Sequence, residues 1–223
     1  MPRTGPFDQH AAEYEEWFSR NPYVYRSELK AVAHFLPPAS EGLEIGVGSG
    51  KFAGPLGITI GVEPSARMRR LAESRGIRVL DGVAESLPFP DARFDFVLMV
   101  TTICFLDDAA RSFQEAARVL KAEGVFVIGF VDKDSPLGRV YQKRKDQNLF
   151  YRQATFYAAT EVIGLLRQNG FERPQAIQTV FGQMEKIRSI QGYESGHGRG
   201  GFVAIRAKNE KALRVDRTGT QNK

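Results

Sequence analysis

The stretch Leu43-Glu44-Ile45-Gly46-Val47-Gly48-Ser49-Gly50 decides the fold. It opens as a short apolar strand and breaks into three glycines, which let the chain turn sharply and let a ligand approach the backbone. A carboxylate, Glu44, precedes the first glycine. A second, Glu63, closes the next apolar run at 58–63, 17 positions after Gly46. A carboxylate there suits a pair of ribose hydroxyls. Ligands of alternating β/α units bind at the carboxyl ends of the strands, where this loop lies.

Working outward, apolar runs at 43–46, 58–63, 77–80, 94–100 and 125–131 alternate with helical patterns near 50–56, 65–74 and 108–120. That order predicts an α/β fold, a Rossmann-like doubly wound and mostly parallel sheet with helices on both faces. The run Val125-Phe126-Val127-Ile128-Gly129-Phe130-Val131 fits a strand covered on both sides. Two amphipathic helices are expected at 8–20 and 23–35, and another at 160–168, closed by Gly170. Runs at 176–181 and 202–207 bring the expected strands to seven. Glycines at 196, 198, 200 and 201 predict a tight hairpin returning the last strand antiparallel.

The 223 residues, 42% hydrophobic and 26% charged, suffice for one core, assigned to 1–207. No apolar run reaches the roughly 18 residues of a membrane span. The first residues lack the apolar stretch of a secretory leader. Cys104 is the only cysteine, so no intramolecular disulfide forms and a cytoplasmic address is expected. His10, His34 and His197 lie far apart, so no metal site is expected. The net charge of +5 concentrates in residues 206–223, with six basic and two acidic side chains; the rest holds 25 basic and 24 acidic. Residues 208–223 are therefore read as a polar, basic, disordered tail rather than a nucleic-acid-binding arm.

A dinucleotide fingerprint would need glycine or alanine where Lys51 stands. E-x-G-x-G-x-G instead resembles the first motif of class I S-adenosylmethionine-dependent methyltransferases. Val62-Glu63-Pro64-Ser65, followed by Met68, is similar to their second motif. Gly82-Val83-Ala84-Glu85-Ser86-Leu87-Pro88-Phe89 resembles the adenine-side motif, and Phe94-Asp95-Phe96-Val97 the strand after it. Arg118-Val119-Leu120-Lys121-Ala122-Glu123-Gly124 looks like the turn before the fifth strand, and Phe7-Asp8 with Ala11 and Tyr14 like a common N-terminal pattern. The resemblance runs from residue 7 to about 207. It is nearest to the methyltransferase type 11 group, typified by ubiquinone-biosynthesis enzymes.

The resemblance implies S-adenosyl-L-methionine as cofactor and carries these roles. The backbone of Gly46, Gly48 and Gly50 passes under the methionine and ribose; independently of the resemblance, the charge of Glu44 just before the loop suits a cationic ligand better than a pyrophosphate. Glu63, beside Pro64, holds the ribose hydroxyls. The Ala84 backbone and the Glu85 side chain face the adenine. Thr101 lines the methionine end, and Tyr14 closes over it. Three departures stand out. Val83 replaces an acid that would contact the adenine amine. Thr102-Ile103-Cys104-Phe105 offers no general base. Ala122 and Glu123 replace a proline and a glycine.

The activity implied is methyl transfer to a small-molecule acceptor. An RNA methyltransferase using the tail and a catalytically silent cofactor-binding protein remain open alternatives. The acceptor, any catalytic base and the oligomeric state are not legible. Segments near 8–36 and 132–157 are expected lid elements. The second far exceeds the roughly 2–6 residues of an ordinary strand-to-helix loop and is rich in aromatic and basic residues.

Overall fold

The computed structural model describes residues 4–38 and 40–210. Three helices, α1 (Gly5–Gln9), α2 (Ala11–Arg20) and α3 (Pro22–Phe35), precede β1 (Gly42–Ile45). Then follow β2 (Ile60–Val62), α4 (Ala66–Glu73), β3 (Arg78–Leu80), β4 (Phe94–Val100), α5 (Ala109–Val119) and β5 (Leu120–Val131). The last third holds α6 (Pro136–Lys143), α7 (Ala159–Gln168), β6 (Phe171–Thr179), β7 (Glu194–Ser195) and β8 (Phe202–Asn209). One sheet runs in the order β3-β2-β1-β4-β5-β8-β6-β7. β1 to β5 pair parallel, and β8 lies antiparallel between β5 and β6. The strand order reverses between β1 and β4, which opens a crevice at their carboxyl ends.

The period of two in the strands divides the core. From β4, Val97 and Met99 join a cluster with Phe113 of α5 and Val162 of α7. Phe96, Leu98 and Val100 point to the other face, where Val32 and Phe35 of α3 and Ala72 of α4 cover them. The helices start where the sequence supplies caps. Ser65 Oγ accepts from the Met68 N–H at 3.2 Å, and the Asp108 carboxylate from the Arg111 N–H at 2.9 Å.

Several expectations are corrected. Residues 50–56 form successive turns rather than a helix. Pro55 offers no N–H, and Gly54 and Gly57 are poor helix formers. The helix expected over 8–20 is broken at His10, which frees Asp8 to accept from the Ser65 hydroxyl at 2.6 Å. The sheet has eight strands, because the short β7 pairs with Gln178 at the edge. No tight hairpin joins β6 to β8. A long excursion does, closed at its neck by the Gly201 N–H donating to the Val180 carbonyl at 2.8 Å. The buried Gln178 side chain gathers the glycine run, its Oε1 accepting from the N–H groups of Arg199 and Gly200. β8 also passes the expected end at 207. Asn209 is buried and its Nδ2 donates to the Ala117 carbonyl at 2.9 Å. The rest of the expected tail, 211–223, lies outside the described residues.

Candidate active site

The loop after β1 turns through three glycines with positive φ, Gly46 at +66°, Gly48 at +53° and Gly50 at +83°. A Cβ on Gly46 would overlap the Thr102 side chain, and one on Gly48 would sit 3.3 Å from the Tyr14 hydroxyl. The backbone therefore runs bare along the floor of a cavity of about 900 Å³. That volume lies at the upper end of ordinary small-molecule sites, room for a nucleoside-sized ligand and a second, smaller one.

Glu63 follows β2 and borders the same cavity at 7% exposure. Its Oε2 accepts from the Gly48 N–H at 3.0 Å and its Oε1 from the Ser65 N–H at 2.9 Å. Each oxygen keeps a second acceptor direction. Burial pushes its pKa up, against those two N–H groups, which pull it down. A desolvated carboxylate held by the loop it faces is equipped to accept from a vicinal diol.

Thr101, just past β4, borders the cavity with φ +50°. A β-branched residue rarely adopts that conformation, which costs roughly 1–3 kcal/mol. Its N–H donates to the Gly129 carbonyl at 2.7 Å, which holds the strain in place. Pro64, Val83, Ala84 and Glu85 border the cavity too. The Glu85 Oε1 accepts from the N–H groups of Asp107 and Asp108 at 3.0 and 3.2 Å, so this carboxylate also ties the loop before β4 to the start of α5.

Two expected residues do not border the cavity. Glu44 alternates with Ile45 on β1 and points beneath the 50–56 turns, 2% exposed, where it accepts from the Ala53 N–H. Gly50 packs against Ile77 of the neighbouring face. Both brace the loop from behind.

Tyr14 of α2 covers the opposite side, its hydroxyl over Gly48, and burial pushes its pKa far up. Glu15 anchors α2, pairing with Lys51 at 3.0 Å and Arg75 at 2.6 Å. From the 132–157 segment, Phe150 and Tyr151 reach over the cavity. Phe7 packs against Phe105 at 5.1 Å and Phe150 at 5.4 Å, so the N-terminal segment and the long connection meet above the site. Cys104 is buried beneath them.

The sequence reading missed a group at the far end, Glu28 of α3 and Tyr141 of α6. The signal for Glu28 was present: it interrupts the apolar stripe Val24, Ala31, Val32, Phe35 at a core position. The charge of the wall was also missed. Among the described residues it carries six carboxyl groups, on Glu13, Glu28, Glu63, Glu85, Asp107 and Glu185, against one guanidinium, Arg144. Such a wall favours cations.

A glycine floor, a buried carboxylate that accepts from it and a strained residue after β4, all at the switch point of a 3-2-1-4-5 sheet, place the chain among the α/β proteins that bind a ligand in that crevice. Known proteins narrow that class. The methyltransferase domain family matches residues 43–128. A solved structure from Thermotoga maritima, a SAM-dependent methyltransferase described as a possible histamine N-methyltransferase, is similar over 92% of this chain and 99% of its own. It has 47% identity and a TM-score of 0.90. An uncharacterized protein of Methanocaldococcus jannaschii is 44% identical over 91% of this chain and 98% of its own length. One of Mycobacterium tuberculosis is 35% identical over 94% of this chain and 76% of its own. The chain belongs to the class I S-adenosylmethionine-dependent methyltransferases, and S-adenosylmethionine is its cofactor. No described helix is long and apolar enough to cross a membrane.

Proposed function

We propose that this chain transfers the methyl group of S-adenosylmethionine to a small, partly apolar acceptor bound in the far half of the same cavity. The observation that carries this reading is continuity: one cavity joins the glycine floor and Glu63 to the aromatic room under α2, α6 and Tyr151. An RNA acceptor fits poorly, because among the described residues the wall offers phosphates one guanidinium against five carboxyl groups besides Glu28.

The residues present fit the cofactor. Gly46 and Gly48 leave room for it, Glu63 would hold its ribose, Ala84 and Glu85 would border its adenine, and Thr101 its methionine end. When bound, it supplies a methyl on a sulfonium, whose departing thioether needs no proton. The protein's task is then alignment and exclusion of water. Positioning of this kind can contribute roughly 7–11 kcal/mol. Thr101, locked by the Gly129 carbonyl, would fix one wall of the reacting region, and Tyr14 with Phe150 would close the other.

Two measurements test the reading. Calorimetric titration should give binding of S-adenosylmethionine and S-adenosylhomocysteine and none of NAD. Incubation with labelled cofactor and a panel of histamine, 2-phenylethylamine, simple phenols and aromatic acids should yield a methylated small molecule. Cofactor binding with no transfer to this panel or to a small-molecule cell extract would instead favour a silent binding protein.

A further inference from the structure

Among the described residues, Glu28 has no hydrogen-bonding or ionic partner. It sits on the buried stripe of α3 with Val24, Ala31, Val32 and Phe35, at 6% exposure, and borders the cavity. Burial alone pushes its carboxyl group up to about 8. A buried polar group without a partner is costly, and natural interiors rarely keep one. Here the open side of the group is the cavity itself.

Its surroundings indicate what completes it. Tyr14 from α2, Tyr141 from α6 and Tyr151 from the long connection border the same cavity, and each feels the Glu28 charge. Tyr25 on its own helix and Glu185, whose charge acts on Tyr141, are further titratable groups in this part of the fold, and Glu13 and Arg144, the latter at the end of α6, border the same cavity. Among the described residues no lysine or arginine acts on Glu28. A desolvated carboxylate among aromatic rings is the environment in which a cationic nitrogen gains both charge pairing and cation–π attraction.

We propose that Glu28, with Tyr14, Tyr141 and Tyr151 beside it, anchors a protonated amine nitrogen of the methyl acceptor. The acceptor is therefore an amine rather than an acid or an uncharged phenol. The word acceptor rests on the methyltransferase reading; the amine site does not. Burial holds the Tyr14, Tyr25, Tyr141 and Tyr151 phenols above their ordinary range, so they stay neutral near pH 8 and Glu28 is the group that titrates. An arriving ammonium favours its anion, so amine binding at pH 7 releases a proton. Amine affinity rises with pH toward about 8 and falls again as the amine itself deprotonates near 10.

The test is calorimetry on the full chain, with and without S-adenosylhomocysteine. The probes are histamine, tyramine and 2-phenylethylamine, with 2-phenylethanol and phenylacetate as uncharged and anionic counterparts. At least one amine should bind roughly tenfold or more tightly than both counterparts, with proton release revealed by buffers of different ionisation enthalpy. Glu28→Gln should weaken that amine at least about tenfold, abolish the proton release and leave S-adenosylhomocysteine affinity within about twofold. No preference for amines, or equal amine binding by Glu28→Gln, overturns the proposal. So does a loss of S-adenosylhomocysteine affinity in Glu28→Gln, which would give the carboxylate to the cofactor. If the wild-type protein fails to bind S-adenosylhomocysteine, the methyltransferase reading falls, and the amine titrations without it still decide the site. Should Glu28→Gln not fold, the wild-type preference and proton release decide alone.

Discussion

Thr102 fills the space that a side chain at Gly46 would need. Its Oγ1 lies 3.2 Å from the Gly46 carbonyl and 3.0 Å from the Val100 carbonyl, and can donate to either. The end of β4 thus fixes the glycine loop of β1. Gly46→Ala adds overlap to an unfavourable φ, so it should lower stability by about 1–3 kcal/mol and weaken S-adenosylhomocysteine binding. Adding Thr102→Ala should recover part of the stability, since overlap is relieved while backbone strain stays. Urea denaturation of the single and double variants checks this; an unchanged midpoint in Gly46→Ala would remove the steric argument.

Glu63 both braces Gly48 and faces the cavity. Glu63→Ala should weaken S-adenosylmethionine binding by at least about 1.5 kcal/mol, the lower value for a hydrogen bond to a charged group. Glu63→Gln, which keeps one acceptor oxygen, should fall between the alanine variant and wild type. Calorimetry at equal folded fraction is the measurement, and wild-type affinity in Glu63→Ala would dismiss the ribose role.

The loop before β4 is tied to α5 chiefly by Arg118, which pairs with both Glu115 and Asp91, the latter at 2.8 Å. Arg118 binds Glu115 through two bonds of 2.8 Å and also reaches the carbonyls of Leu87 and Phe89. Glu115 in turn accepts from the Leu87 N–H at 2.8 Å. Arg118→Met leaves a buried carboxylate behind and should cost about 3 kcal/mol. The guanidinium holds Glu115 below the usual carboxylate range. Its contribution is therefore present above the unfolded pKa and lost as pH falls through the depressed folded value. Denaturation at pH 7 and pH 4 should show wild type losing more stability than Arg118→Met.

Glu28 has the opposite sign. Its folded pKa is raised from 4.5 to about 8, so the folded state holds this proton more tightly. Stability is fullest below pH 4.5 for this group and declines by roughly 1.4 kcal/mol per unit until pH passes 8. Glu28→Gln, which cannot ionise, should become more stable relative to wild type as pH rises from 5.5 to 7.5. Parallel denaturation curves at the two pH values would refute that.

The segment from α6 to Tyr151 and the N-terminal helices meet through Phe7, Phe105 and Phe150. If they act as a lid, proteases should cut 144–153 in the free protein and cut more slowly once S-adenosylhomocysteine and an acceptor are bound. Tyr151→Ala should weaken that protection and slow turnover. Identical digestion with and without ligands, with normal turnover of the variant, would leave a fixed wall.

Most of the sheet was legible because its strands' apolar runs are bounded by turn residues, and the candidate cavity because Gly46, Gly48 and Glu63, which line it, are spaced along one β–loop–β unit. What escaped depended on direction. Glu44 lies in the expected motif, yet strand alternation turns it under the 50–56 turns, away from the cavity. Glu28 lies outside every motif; only an acid at a core position of α3 marked it, and its meaning needed the cavity. β7 is two residues long, too short to leave a pattern. The acidic wall gathers side chains from helices, strand ends and loops, which no local window brings together.

The helix that closes the far end of the cavity is made early, and its supports are made late. α3 packs on β5, β6 and β8, and Ser27 accepts from the N–H of Gln191, 164 positions further along. During synthesis, α3 waits with its apolar stripe and Glu28 in water while nearly the whole sheet is translated. The β1–β4 half can assemble in the meantime from neighbouring segments, but the pocket's last wall closes only when the final strand enters between β5 and β6. Ribosome-bound chains ending before residue 202 should therefore hold a formed glycine loop and an unfinished pocket.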